Sequence, residues 1–248
     1  MLYKTRGIAL QTIKFSETSI IAKIYTELFG LQSYLIKGIR KQHSAIKPGL
    51  FQPLTLLDLT VYRKERGNLQ SLKEASNHHP YQDLPFNIIK SSVALFIDEL
   101  LCKSIKEEEP NQALFDFLLN TCKELDSVRS GVRFFPLIFA VDLTRYLGFY
   151  PQADISSAKQ IFNLREGVFQ ENIPDHKYFI KPPLSKFLKE IIISRQDLSG
   201  YILSDTDKYN DGLKVRNELL DTVLIYYQLH LPDFREMKSH KVLHSLLA

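Results

Sequence analysis

Cysteine is scarce in this chain of 248 residues: there are two, Cys102 and Cys122. They lie twenty positions apart inside helical patterns, with no second pair, so they make neither a zinc site nor a disulfide framework. They read as buried, reduced thiols. Long apolar runs are missing too. The longest, such as residues 223–227, fall far short of the roughly 20 residues a membrane span needs. The first ten residues, MLYKTRGIAL, lack the apolar stretch of a signal peptide. The expectation is a cytoplasmic protein with no membrane association.

Catalytic signatures are equally absent. No glycine-rich phosphate loop follows a strand, and there is no G-x-S-x-G, no H-E-x-x-H and no setting for a nucleophilic cysteine. Carboxylate pairs such as Asp98 and Glu99 are adjacent on a helix and diverge by about 100°, which suits solvated faces rather than two-metal chemistry. His78 and His79 have no third ligand near them and read as a boundary loop. No enzymatic activity, cofactor or bound metal is expected.

What is present is charge of one sign in one place. The net charge is +4. Residues 1–80 carry twelve lysines and arginines against five acids, whereas the remainder carries 20 against 23. Residues 36–53, IKGIRKQHSAIKPGLFQP, hold Lys37, Arg40, Lys41, His43 and Lys47 and no acid at all. Glycines and prolines punctuate the stretch and apolar runs flank it. A basic loop between two strands presents cations to a phosphate backbone.

The first third of the chain is β in pattern. Runs at 7–15, 19–27, 31–40, 52–63 and 68–76 are rich in Ile, Thr, Tyr, Leu and Val with period-two alternation. Five short strands in so small a space avoid raw edges by closing into a barrel, and this size points to an OB-fold, which binds oligonucleotides across its strands and loops. Tyr25, Tyr34, Phe51 and Tyr62 are candidates for base stacking, and Tyr34 is placed in the DNA-binding set beside the loop cations. After residue 80 the period becomes 3.6, with helices expected at 87–106, 111–125, 132–147, 184–194, 211–231 and 237–247 and a hairpin at 161–170 turning at Glu166-Gly167. The fold class is therefore α+β. An OB-fold nucleic-acid-binding domain over residues 1–80 precedes a mostly helical partner-binding domain over 81–248, with a hairpin region at about 150–183.

The order of these pieces resembles the DNA repair protein RecO family. Gly7-Ile8-Ala9-Leu10 leading to Phe15-Ser16-Glu17-Thr18-Ser19 is similar to that family's first hairpin. Phe29-Gly30-Leu31, Lys37-Gly38-Ile39-Arg40 and Gly49-Leu50-Phe51-Gln52-Pro53 match its basic strand-loop-strand segment. Leu95 to Leu101 resembles its first long helix, Tyr146 to Pro151 the helix end before its zinc knuckle or hairpin, and Met237-Lys238-Ser239 its C-terminal basic motif. Two departures stand out. Residues 154–160, DISSAKQ, replace a four-cysteine zinc knuckle, so no zinc is expected and packing alone must hold the hairpin. His240 replaces a family arginine, which weakens a fixed charge there near neutral pH.

The resemblance implies a nucleoid-associated recombination mediator. Such a protein binds single- and double-stranded DNA, anneals complementary strands and acts with RecR to load RecA onto coated single strands. It also docks the acidic, Phe-ended C-terminal tail of the single-stranded-DNA-binding protein. Arg133, beside Phe134 and Phe135 at a helix start, is the first candidate for that tail's carboxylate, with Arg129 second and Lys238 in the basic motif. The alternative is an RNA-binding OB module with a helical protein-interaction domain, and a metal-dependent nuclease is a third reading that rests only on scattered acids.

Overall fold

A computed structural model describes residues 1–39, 46–64, 67–154, 158–196 and 212–246. The chain divides into two compact units, Met1–Ser127 and Val128–Ala248.

The first unit is built on five strands: β1 (Leu2–Lys14), β2 (Ile20–Thr26), β3 (Gly30–Ile36), β4 (Leu56–Tyr62) and β5 (Leu69–Asn77). They close in the order β1-β2-β3-β5-β4, with β3 and β5 parallel and the other pairs antiparallel. This is an OB-fold barrel. β1 is long because its first half pairs with β4 and its second with β2, and a bulge between Ala9 and Gln11 bends it from one partnership to the other. Ala9, Ala22, Ile24, Tyr34, Ile36, Leu57, Leu59 and Val61 fill the interior. The period-two positions Leu57, Leu59 and Val61 thus form one inward row, as the sequence pattern requires.

Two helices belong to the same unit, α1 (Ile88–Ser104) and α2 (Gln112–Ser127). Asn87 caps α1 by accepting the N–H of Ile89 and Lys90. Tyr25 of β2 stacks on Phe115 of α2 with ring centres 6.4 Å apart, and Arg6 of β1 lies over the same ring. The loop between the helices closes over β3, where Leu31 N–H donates to the Glu107 carbonyl at 3.1 Å. Gly30, at φ +60, lies so close to Glu109 that a Cβ would collide with its carbonyl. The change from strand to helix comes after residue 80 as expected, but these contacts carry α1 and α2 into the barrel's unit.

The second unit opens with a 3-10 turn, Val132–Phe134, leading into α3 (Phe135–Tyr146). A three-stranded sheet follows, β6 (Ile161–Asn163), β7 (Val168–Gln170) and β8 (Phe179–Ile180), in the order β7-β6-β8, and then α4 (Leu184–Gln196), α5 (Gly212–His230) and α6 (Ser239–Leu246). The hairpin turn is fixed by Asn163, whose Oδ1 accepts the N–H of Arg165 and Glu166. Phe162, Phe169 and Tyr226 pack as an aromatic group, with Phe149 stacked on His230 at 5.2 Å. Tyr227 O–H donates to the Ala140 carbonyl and ties α5 to α3. Residues 155–157 of the stretch that departs from the zinc-knuckle pattern lie outside the described residues.

Candidate nucleic-acid interface

The connection from β3 to β4 leaves the barrel at Lys37 and returns at Lys47, both exposed. Its described ends are pinned from below. Ile36 and Ile39 on the way out, and Phe51 on the way back, are buried in the barrel core, and Ile46 and Leu50 pack against it. Gly38 adopts φ +68, a turn that favours glycine and lets Ile39 dive inward just after Lys37. Pro48–Phe51 forms a 3-10 turn. The return is locked by Leu54, whose N–H donates to the Ala9 carbonyl at 2.7 Å and whose carbonyl accepts the Tyr81 hydroxyl at 2.6 Å. Apolar anchors therefore hold the ends while Lys37 and Lys47 stay in solvent. Arg40, Lys41 and His43 lie outside the described residues.

The strand register puts a second element at the same end of the barrel. Lys14 pairs with Ile20, and Ile20 pairs with Ile36. The β1–β2 hairpin tip, residues 15–19, is thus the neighbour of Lys37. Its turn is closed by Phe15 and Ser16, which both donate to the Ser19 carbonyl. Phe15 is 58% exposed and Ile13 47%. Neither residue was expected from the sequence to touch nucleic acid, although Phe15 ends an alternating run just before the Ser-Glu-Thr turn.

The stacking candidates divide sharply. Tyr34 is only 1% exposed, and Tyr25 and Phe51 are buried as well, which removes all three rings from the surface. Burial pushes the Tyr34 hydroxyl up to about 12, mainly through desolvation, and Tyr25 likewise. Tyr34 faces the interior because it pairs with Ala22 on the inward side of β2. Its placement in the DNA-binding set is corrected accordingly: it is a core residue. Tyr62, 45% exposed, is the one of the four that reaches solvent.

The opposite wall of the barrel has a different character. A cleft of about 630 Å³ on the outside of β1, β4 and β5 is lined by Lys4 and Arg6 but also by Glu27, Asp58 and Glu74. Arg6 is committed there, its Nε and Nη2 donating to the two carboxylate oxygens of Glu27. That hydrogen bond draws the Glu27 carboxyl below its ordinary range. A wall whose arginine is already paired, with acids beside it, repels a phosphate chain.

The partner-binding candidates fall in the second unit. Arg133 and Arg129 are exposed. Arg133 lies in the 3-10 turn rather than in the helix, behind Gly131 at φ +74. Its carbonyl accepts from Nη1 of Arg216 at 3.2 Å. Arg216 is 2% exposed, and burial followed by the charge of Arg133 brings its pKa down to about 10. Phe134 is buried against Phe187 and so supports Arg133 from below. Lys238 is exposed, just before α6. On α6, the half-buried His240 faces His244, with ring centres 5.7 Å apart.

A closed five-stranded barrel with a basic connection at one end, joined to helices, defines an OB-fold protein with an added helical region. Comparison with known proteins gives the rest. Residues 1–81 match the model of the recombination protein O N-terminal domain and residues 85–171 that of its C-terminal domain. The chain is 35% identical to the DNA repair protein RecO of Christiangramia forsetii and 34% to that of Bacteroides fragilis, with 99% of each chain covered. It is 30% identical to the RecO of Azobacteroides pseudotrichonymphae, again over 99% of both. The chain belongs to the RecO family, and its role lies in DNA repair and recombination. Among the described residues, no helix is long and apolar enough to cross a membrane.

Proposed function

We propose that this chain is a recombination mediator that works by binding and positioning, without bond-making chemistry of its own. In this reading it holds single- and double-stranded DNA through the basic connection, at Lys37, Arg40, Lys41, His43 and Lys47, and anneals complementary strands. It acts with RecR to load RecA onto single strands coated by the single-stranded-DNA-binding protein, as a cytoplasmic, nucleoid-associated protein. The observation that carries the reading is the anchoring of an acid-free cationic connection: Ile36, Ile39 and Phe51 are buried while Lys37 and Lys47 stay exposed. Backbone charge neutralisation of this kind is independent of sequence and sensitive to salt. Tail docking is assigned to Arg133 and Arg129, with Lys238, because Arg133 is exposed above a second, buried guanidinium and beside apolar rings. An exposed guanidinium suits the terminal carboxylate of such a tail.

The test is annealing of complementary oligonucleotides coated with single-stranded-DNA-binding protein, with and without that protein's C-terminal tail. Arg40→Ala is expected to slow annealing and to lower the salt slope of DNA binding by about one unit. Arg133→Ala is expected to slow only the tail-dependent reaction. Equal rates with and without the tail would discard the docking assignment. Unchanged affinity and slope in Arg40→Ala would remove the loop from the DNA site.

A further inference from the structure

The second unit holds a cluster of potential cations with little to balance them. His240 and His244 are one helical turn apart on α6 and so share a face. Their rings meet edge to face, with centres 5.7 Å apart. α6 meets α5 there, where His244 Nε2 stands 3.5 Å from Asp221 Oδ1. Nδ1 of His240 and Nε2 of His244 are both buried without a hydrogen-bond partner among the described residues. Arg216 of α5 is buried as well. Among the described residues its guanidinium donates to neutral oxygens, Oδ1 of Asn217 and the carbonyl of Arg133. Its charge reaches His244.

A buried charge is expensive without an opposite charge beside it. Buried ring nitrogens without partners call for a ligand, an ion or a water. Asp221 does not fill that place: half of its side chain is in solvent, and its oxygen is not aligned for a hydrogen bond with His244. Lys241, on the outer side of α6, is paired with Glu236 at the surface. Arg133, Arg129 and Lys238 are exposed cations of the same unit. The balance around the imidazoles is thus positive, and what completes it is an anion.

We propose that His240 and His244 form a proton-dependent anion seat beside Arg216, and that its occupant is a carboxylate of the acidic tail docked at Arg133. The seat rests on the docking reading and adds a regulator to it. Two charged imidazoles offer one N–H each to the two oxygens of a carboxylate. An acidic tail carries several carboxylates, so one can lie at Arg133 and another on α6. In the free protein, desolvation holds the His244 pKa below its ordinary value; Asp221 opposes this, while His240 and Arg216 add to it. A bound anion reverses that cost and draws protons onto the rings. By reciprocity, protons tighten the anion. Docking then responds to pH in the range where histidine changes charge, about 5.5 to 8, while the tail's own carboxylates stay ionised.

The probe is an acidic peptide ending in phenylalanine, labelled at its N-terminus with a dye whose emission does not change with pH. Its Kd for the full chain, read by anisotropy, should fall about tenfold between about pH 8 and about pH 5.5. The carbon-bound ring protons of His240 and His244, followed by NMR, should titrate at higher pH with the peptide bound than without it. The double variant His240→Gln/His244→Gln should lose the pH dependence, whereas His78→Gln, in the first unit, should keep it. His240→Arg, which fixes one charge, should bind more tightly than the parent at about pH 8. Inorganic phosphate is the rival occupant: ring protons shifted by phosphate and not by the peptide would overturn the carboxylate assignment. A peptide Kd that stays flat across this range, yet rises in Arg133→Ala, would overturn the seat and leave the docking in place. A peptide that binds at no pH would overturn both.

Discussion

Lys90 of α1 donates from Nζ to the carbonyl of Asp126, near the end of α2, at 2.6 Å. The charge of this buried lysine is met by Asp83 Oδ2 at 2.8 Å. The carboxylate of Asp126 turns the other way and accepts the N–H groups of Gln82, Asp83 and Leu84 at 2.8–3.2 Å. Two buried residues thus fasten the segment leaving the barrel to both helices. Segments without regular structure carry backbone donors that need partners once buried, and here a single carboxylate supplies three.

Asp126→Ala is expected to destabilise the protein by about 2–3 kcal/mol at neutral pH, because the charge-assisted bonds go and the donors stay buried. Burial alone would raise the Asp126 pKa, but the three N–H donors and Lys90 more than reverse this and hold it below the ordinary range. A carboxyl lowered on folding stabilises above its unfolded value of about 3.9 and loses that contribution as pH falls through the lower folded value. Urea unfolding of both proteins should therefore show a gap at pH 7 that narrows below about pH 4.

The sign is opposite at Asp98. Desolvation, followed by the charge of Glu99, raises its carboxyl to about 7, and its Oδ1 is buried with no hydrogen-bond partner among the described residues. Folding holds its proton where the unfolded chain has released it, so its contribution is full below about pH 4 and declines up to about pH 7. The decline is at most about 1.4 kcal/mol per pH unit. Asp98→Asn should flatten the dependence of Tm on pH between about 4 and about 7 and stabilise the protein at the upper end. An unchanged profile would place the titrating group elsewhere.

Gly30→Ala should cost at least about 2 kcal/mol, since the backbone is left-handed there and the new methyl meets the Glu109 carbonyl. Gly49, inside the basic connection, has open space around a Cβ. Gly49→Ala should stay within about 0.5 kcal/mol of the parent. The pair of urea midpoints checks both.

Lys37→Ala and Lys47→Ala should each reduce the slope of log K against log salt by about 0.9 for duplex and about 0.7 for single strands. The loss should be the same for every DNA sequence, because phosphates carry no sequence. Filter-binding titrations across a salt series measure it. Lys4→Ala, on the wall shared with Glu27, Asp58 and Glu74, should leave the slope where it was.

Much of this was legible in one dimension. Strand alternation and the change of period after residue 80 are local properties of the chain, and so they place five strands and the helices that follow close to where they are. The proline-flanked, acid-free stretch likewise marks its own position between β3 and β4. What alternation cannot give is the direction of the interior. Tyr34 and Leu35 are equal candidates for the core until Ala22 and Ile21 are paired with them. The bulge at Ala9 and Gln11 shifts the register, so that Gly7 and Ala9 point inward before it, whereas Thr12 and Lys14 after it are exposed although they pair with the core residues Ala22 and Ile20.

The sequence by itself determined the barrel's strands, the helical remainder and a cationic connection free of acids, because each depends on neighbours along the chain. Tertiary structure alone decided three other matters. It buried Tyr34 and exposed Phe15, since strand pairing closes the sheet around one face and not the other. It joined α1 and α2 to the barrel through Tyr25, Phe115, Gly30 and Glu109, residues separated by about 80 to 90 positions. It also brought the β1–β2 hairpin beside Lys37, through the Lys14–Ile20–Ile36 register. Contacts that long in sequence leave no periodic trace, because packing free energy depends on distance in space and not on separation along the chain.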